Sequence, residues 1–321
     1  MARASTKKTF NPRQFMNLPK LPPLRWTDPY PLWRRLSIET HSRCNRKCPF
    51  CPVGSGRRDV LGAGISMDDR LFDKIVAELD ELGYDQNISP FLINEPLIDH
   101  KIIPRIKKLR AACPRANIYI STNGDALTKK YKMAVDRLKA LYDAGVTVIN
   151  LNVYDAAAAG RERRRQYSRY INAMERLNVA RFTTNKYSMT RTKSIAVTDM
   201  RLERDSGDVS PTDRWMRRSA EARAEVTAPE TYCARPHRHL VVRYDGKIPI
   251  CCVVDQTHPD MISAGDVNKQ TLVRVWNSET LRRYRYHLQD GKRSKLTACK
   301  TCDHRVAFPN IVRRIKARGR R

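Results

Sequence analysis

Acidic residues are scarce in this chain. Asp and Glu number 33 against 62 Lys and Arg, giving a formal net charge of +29. Such a field attracts polyanions such as RNA, DNA or phosphorylated molecules, although solvated surface charge alone gives the same count. Long apolar runs are missing too: none approaches the length of a membrane span. The start, Met1 to Lys8, lacks the apolar core of a secretory signal, so a soluble, cytoplasmic protein is expected. There are no internal repeats and no RNA-recognition, zinc-finger or helix-turn-helix pattern. With no secretory signal, the nine cysteines argue for metal or cluster binding in a reducing compartment rather than for disulfides.

Three of those cysteines stand together in Glu39-Thr-His-Ser-Arg-Cys-Asn-Arg-Lys-Cys-Pro-Phe-Cys-Pro52. Cys44, Cys48 and Cys51 are separated by three and then two residues. Three thiolates this close can hold three irons of a four-iron cluster, leaving the fourth open to a small molecule. Zinc is the competing reading, with His41 as a fourth ligand closing a tetrahedron.

At these residues the chain resembles the radical S-adenosylmethionine superfamily, whose members carry Cys-x3-Cys-x2-Cys with an aromatic residue, here Phe50, before the last cysteine. The resemblance implies a 4Fe-4S cluster whose open iron chelates S-adenosylmethionine. It also implies a 5′-deoxyadenosyl radical that abstracts hydrogen from substrate, with the protein positioning and shielding the cofactors.

Local pattern supports an α/β fold. Strands are predicted at 33–39, 88–93, 117–122 and 146–153. Helices are predicted at 68–82, capped by Ser66 or Asp68, at 101–112, and at 127–144 with Gly145 as the stop. Alternating strands and helices imply a parallel sheet, here a complete or partial (β/α) barrel of the radical S-adenosylmethionine type. The cysteine loop, Glu95, Asn123 and Asn152 fall at carboxyl ends of strands, where barrel enzymes work. Glu95-Pro96 resembles the end of the family's Gly-Gly-Glu-Pro motif, whose glutamate bonds the cofactor ammonium; Ile93 and Asn94 replace the glycines. Ser121 and Asn123 share one strand face, as do Asn150 and Asn152. By resemblance, Phe50, Glu95, Ser121, Asn123 and Asn152 are the candidate cofactor contacts.

A second cysteine group follows: Cys233, Cys251, Cys252, Cys299 and Cys302. Residues 240–251 read as a hairpin around Asp245-Gly246, and a helix is expected near 278–289. The spacings resemble the SPASM and twitch extensions of the superfamily, implying one auxiliary 4Fe-4S cluster on Cys233, Cys251, Cys299 and Cys302. Adjacent side chains of a strand point apart, so Cys252 is either buried filler or the true ligand after a register slip. Cys113 reads as a plain buried thiol, and His237 and His239 as basic surface histidines.

The resulting expectation is a basic arm at 1–30, a core barrel at 31–185 and a bridge or remaining barrel elements at 186–230. An auxiliary cluster domain of β-hairpin plus helix follows at 231–308, and a basic tail at 309–321. Within the bridge, 185–198 reads as polar and without a barrel element, and a charged helix is expected at 212–225. The implied function is radical oxidation of a small molecule or peptide, with flavodoxin or ferredoxin as electron donor. Radical modification of nucleic acid is the alternative from charge, and a zinc-binding nucleic-acid protein the non-enzyme alternative.

Overall fold

A computed structural model describes residues 30–48, 51, 65–127, 130–155, 157–184, 192–199, 230–252, 263–300 and 302. Seven strands form one sheet, and every pairing in it is parallel. In chain order they are β1 Arg35–Ile38, β2 Asn87–Ser89, β3 Asn117–Thr122, β4 Val148–Val153, β5 Arg181–Phe182, β6 Ser194–Asp199 and β7 His239–Val242. Their spatial order is β5-β6-β4-β3-β2-β1-β7, an open sheet of the partial-barrel kind. Helices α1 Asp69–Glu81, α2 Ile102–Ala112, α3 Tyr131–Ala144 and α4 Ala157–Arg176 connect the first strands and stand side by side.

Local chemistry sets the helix ends. Asp68 Oδ1 accepts from the N–H groups of Arg70 and Leu71, satisfying orphan donors at the start of α1. Ser66, the other cap considered, instead bridges to His41. Leu71, Phe72, Ile75 and Leu79 then fall on one buried stripe. Gly145 ends α3 in the left-handed region at φ 117°, with its own N–H donating to Tyr142 O. A side chain there would strike Arg110.

A parallel sheet covered on both faces reads as continuous apolar runs. This one alternates. Leu36, Ile38, Ile88, Ile118, Ile120, Ile149, Leu151, Ile195, Leu240 and Val242 are buried in the apolar core. The other face carries Ser37, Ser89, Ser121, Asn150, Asn152, Thr198 and His239, matched across the strands by their register. Such a face suits a polar ligand rather than a second hydrophobic layer.

The C-terminal unit pairs β8 Lys247–Pro249 antiparallel with β9 Ser263–Asp266. It adds the short helices α5 Arg235–Arg238, α6 Leu272–Trp276 and α7 Glu279–Gln289. Trp276 packs edge-on against Trp33 at 5.6 Å between ring centres, and its indole N–H donates to Pro31 O. Lys74 of α1 donates to Val267 O and Gln270 O, and Glu78 accepts from Leu272 N–H. The unit is thus sewn to α1 and to the entry of β1.

Four expectations change. Residues 194–199, read as polar and without a barrel element, form β6 between β4 and β5; Ile195 and Val197 supply the apolar face that the basic flank hid. The hairpin at 240–251 divides: its turn forms, with Gly246 N–H donating to Arg243 O, but β7 pairs with β1 while β8 pairs with β9. The stretch Ala157–Arg176, where no helix is expected, forms the 20-residue α4. His237 is buried beside Tyr30 and Tyr232, and His239 sits between Ser37 and Cys252, so neither is a surface histidine. The expected arm up to residue 29, the helix at 212–225 and the tail lie outside the described residues. Among the described residues no helix is long and apolar enough to cross a membrane.

Candidate active site and auxiliary cysteine site

The first cysteine loop leaves β1 and is pinched at its neck. Ser42 N–H donates to Ile65 O, Ile65 N–H to Ser42 Oγ, and Met67 N–H to Thr40 O. Behind the neck, buried Arg105 donates to Thr40 O at 2.8 Å and Met67 O at 2.7 Å and pairs with Asp99 at 3.2 Å. Removing one partner of such a buried pair costs about 3–5 kcal/mol.

Cys44, Cys48 and Cys51 lie within electrostatic reach of one another. Cys51 N–H donates to Cys48 O at 3.0 Å, a tight turn that orients two thiols together. Burial pushes the Cys44 thiol up to about 11 and raises Cys48. These thiols ionise when a positive partner binds them. Tyr154 stands close to all three cysteines. His41 is committed elsewhere: its Nδ1 accepts from Arg43 N–H, so Nε2 carries the proton and donates to Glu95 O. Burial lowers its pKa, and no ring nitrogen remains for zinc.

The strand ends converge on this loop. Glu95 is 3% exposed and accepts from Thr122 Oγ1 at 2.6 Å, Leu97 N–H at 3.0 Å and Asn123 N–H at 2.8 Å. Burial raises its pKa, with those hydrogen bonds opposing. Its second oxygen, bonded once, keeps a lone pair for another donor. Asn123 donates to Asn45 Oδ1 at 2.9 Å and approaches Cys44 Sγ at 3.8 Å. Ser121 Oγ accepts from Asn152 at 2.7 Å and Asn150 at 3.3 Å, and Thr198 donates to Asn150 Oδ1 at 2.8 Å. The structure therefore brings Glu95 to Asn123, and Ser121 to Asn152; Phe50 lies outside the described residues.

One part of this site was not legible beforehand. Arg46, between Cys44 and Cys48, chelates Asp125 through two 2.6 Å bonds and reaches Asp155 at 3.1 Å. Arg163 of α4 binds the same two carboxylates at 2.9 and 3.3 Å. This quartet staples the loop to the exits of β3 and β4. Nothing in Arg46, Asp125, Asp155 and Arg163 as isolated letters signals it; only the fold brings them together.

The second cysteine group gathers in the C-terminal unit. Cys233, Cys251, Cys299 and Cys302 lie within mutual electrostatic reach, and Cys302 N–H donates to Cys299 O at 3.0 Å. The turn repeats the one at Cys48 and Cys51. Burial pushes Cys251 up to about 12 and raises Cys233 and Cys299. Cys252 turns away: its sulfur accepts from Arg235 Nη1 at 2.8 Å and lies beside His239, on the polar face of the sheet.

The family model of the radical SAM superfamily matches residues 38–191, which run from the last residue of β1 through the first cysteine loop to β5. The chain belongs to the radical S-adenosylmethionine superfamily. A second family model, the SPASM iron-sulfur cluster-binding domain, matches residues 233–303 and contains the second cysteine group. A dehydrogenase of Niallia circulans, S-adenosyl-L-methionine-dependent 2-deoxy-scyllo-inosamine dehydrogenase, is 24% identical over 273 residues. That match covers 85% of this chain and 94% of the relative. The crystal structure of BtrN in complex with AdoMet and 2-DOIA superposes with a TM-score of 0.64 at 21% identity, covering 86% of this chain and 94% of that one. BtrN in an open conformation gives 0.56 at 21% identity, covering 85% and 94%.

As a radical S-adenosylmethionine enzyme, this chain needs a 4Fe-4S cluster and S-adenosylmethionine, and its SPASM domain binds iron–sulfur. The donor sets fit. Both contain a Cys-x2-Cys turn with thiols facing one another. The zinc-protein reading is set aside on the two family matches and on the tautomer of His41.

Proposed function

We propose that the enzyme oxidises a carbinol of a polyhydroxylated small molecule to a carbonyl. The observation that carries this reading is the polar inner face of the sheet, running from Ser37 and His239 to Ser121, Asn150, Asn152 and Thr198. Hydroxyl and amide groups at that density match a ligand rich in hydroxyls, not an apolar one. The similarity to a dehydrogenase of an aminocyclitol supports the same class. When bound, S-adenosylmethionine and the first cluster supply a hydrogen-abstracting radical, and the second cluster supplies an acceptor for one electron. The substrate loses a hydrogen atom, then one electron and one proton, so two electrons leave in all. Cys44, Cys48 and Cys51 hold the first cluster; Cys233, Cys251, Cys299 and Cys302 hold the second. Glu95 offers its remaining lone pair to the cofactor ammonium, and Ser121, Asn123 and Asn152 order its polar end.

The domain reading follows the two cysteine sites. Residues 31–185 hold the first, 186–230 are a bridge or remaining barrel elements, with β6 inside that range, and 231–308 hold the second. The strand β7, inside the latter range, completes the barrel sheet. The reductant is a flavodoxin- or ferredoxin-like carrier, for which exposed Arg43 and Lys47 beside the cysteines offer a basic rim.

The test is anaerobic turnover with S-adenosylmethionine, reductant and a panel of aminocyclitols and sugars deuterated at the carbinol carbon. Deuterium in 5′-deoxyadenosine and a product two mass units lighter than the protiated substrate (about 2, as two-electron oxidation removes two hydrogens) support the reading. Turnover of a peptide or an RNA with no cyclitol or sugar oxidised would replace it.

A further inference from the structure

We infer that His239, reached through the Ser37 hydroxyl, accepts the proton that the proposed oxidation releases. The inference rests on that oxidation and names the group that takes its proton.

Turning a carbinol into a carbonyl requires a destination for each particle. Once the carbon-bound hydrogen has gone, the carbon keeps one unpaired electron and its hydroxyl. The O–H bond then breaks, the proton leaves, one electron leaves toward the auxiliary cysteine site, and C–O becomes C=O. A positioned base contributes about a hundredfold or more to such a proton transfer. It must be unprotonated and face the substrate. It serves best beside the path of the electron, because losing both together avoids a charge stranded in the interior.

His239 meets these conditions by position. It opens β7, and its Nε2 lies 2.9 Å from Ser37 Oγ on the polar inner face. The ring is half-buried and hydrogen-bonds the Cys252 side chain. Cys252 adjoins Cys251 in the chain, so the imidazole stands between the polar face and the auxiliary cysteines. Register places His239 level with Arg35, Asn87 and Asn117. Ser121 lies four residues further along β3, about 13 Å at the rise of a strand. Ser37 stands two residues above Arg35, within that interval. The candidate cofactor contacts gather at the upper end of the face and His239 at the lower, so a carbinol held between them has a hydrogen abstractor on one side and a proton acceptor on the other.

Its surroundings keep the ring ready. Among the described residues, Arg35 and Ser37 face it from β1, Arg235 from α5 and Cys252 from the segment after β8. Burial lowers the His239 pKa, Cys252 opposes that fall, and the two guanidiniums add to it. The imidazole is therefore neutral near pH 7 and has a nitrogen able to take a proton.

The test follows two products from one substrate deuterated at the carbinol carbon, in the anaerobic holoenzyme. Deuterium in 5′-deoxyadenosine counts hydrogen removal, and the carbonyl product counts completed oxidation. In His239→Gln the ratio of carbonyl product to deuterated 5′-deoxyadenosine is expected to fall about a hundredfold. Iron content and substrate affinity by calorimetry are expected to stay native. Recovered substrate should carry protium at the carbinol carbon, since the stranded carbon radical is quenched by an electron from the reductant and a proton from solvent. In the native enzyme the ratio should fall as acid protonates the imidazole, whereas in His239→Gln it should stay low and flat with pH, a difference that a purely structural histidine would not produce. Ser37→Ala, which keeps the imidazole and removes the hydroxyl bridge, is expected to lower the ratio about tenfold or more. A native ratio in either variant with iron retained overturns the inference. Where His239→Gln loses iron or substrate binding, Ser37→Ala decides: a lowered ratio supports the assignment, and a native ratio overturns it. Absence of deuterium transfer in the native enzyme would sink the oxidation itself, whereas native ratios in the variants sink only the proton assignment.

Discussion

Replacing Gly124 by alanine tests the packing behind the candidate cofactor segment. Gly124 sits at φ +71°, where a side chain is strained, and an added Cβ would fall against the Tyr167 hydroxyl and 2.8 Å from its Cζ. Tyr167 is fully buried, and its hydroxyl donates to Asn123 O at 2.8 Å with Asn152 O at 3.3 Å. The left-handed backbone costs about 1 kcal/mol, the overpacking about 1–3, and the displaced hydroxyl bond about 1 more. The sum, about 3–5 kcal/mol, corresponds to a fall in Tm of about 6–10 °C at roughly 2 °C per kcal/mol in a chain of this size. Thermal unfolding by circular dichroism under anaerobic conditions reads it directly. Tyr167→Phe removes the nearest clashing atom, so the double variant should lose less than the sum of the singles, by about 0.5–3 kcal/mol. A Gly124→Ala protein melting within about a degree of the parent, where ~3 kcal/mol was due, would show that Tyr167 yields freely and that this segment is not held as described.

Glu95→Gln should retain iron but weaken S-adenosylmethionine binding about tenfold or more by calorimetry, since losing a charge-assisted hydrogen bond costs about 1.5–3 kcal/mol; equal affinity would leave Glu95 as an internal brace only. Arg46→Met should take one of the quartet's two guanidiniums from Asp125 and Asp155 and lower iron retention by the first cluster on dilution, and wild-type retention would remove the staple's role. Cys251→Ser should lose the auxiliary iron while Cys252→Ser keeps it, and the reverse outcome would mean that the assigned register is wrong. Burial depresses the His237 pKa to about 3, so the folded state resists a proton that the unfolded chain takes up below its ordinary 6.5. Stability is therefore full above that value and falls with acid, by as much as about 1.4 kcal/mol per pH unit. Chemical denaturation at pH 7 and pH 5 should show a smaller loss in His237→Gln than in the parent, and parallel losses would contradict the burial argument.

Much of the architecture was legible because its signals are local. The apolar period of 71–79, the Asp68 cap and the Gly145 stop each depend on neighbours in sequence, and each formed as expected. Strand β6 escaped because only a few apolar residues in a basic stretch mark it, and its pairing with β4 is a long-range matter. The cysteines announced themselves by spacing. The Arg46 quartet did not, since its members lie up to 117 positions apart along the chain and no period links them. His239 misled for a related reason: polarity in a basic sequence suggests solvent, yet here it lines the inner face of a sheet.

Strand β7 carries a consequence for how this protein can be divided. It comes from the C-terminal cysteine region yet lies in register beside β1, Arg35 with His239 through Ile38 with Val242. β1 runs directly into the first cysteine loop, and β7 runs through one turn into Cys251. The separation of the two redox sites is therefore fixed by backbone rungs between neighbouring strands, about 4.8 Å apart, rather than by the docking of one lobe on another. The C-terminal unit is not a detachable cartridge. A chain cut before residue 231 would bare the edge of β1, a template for intermolecular pairing, so the barrel alone should aggregate rather than persist as a smaller enzyme.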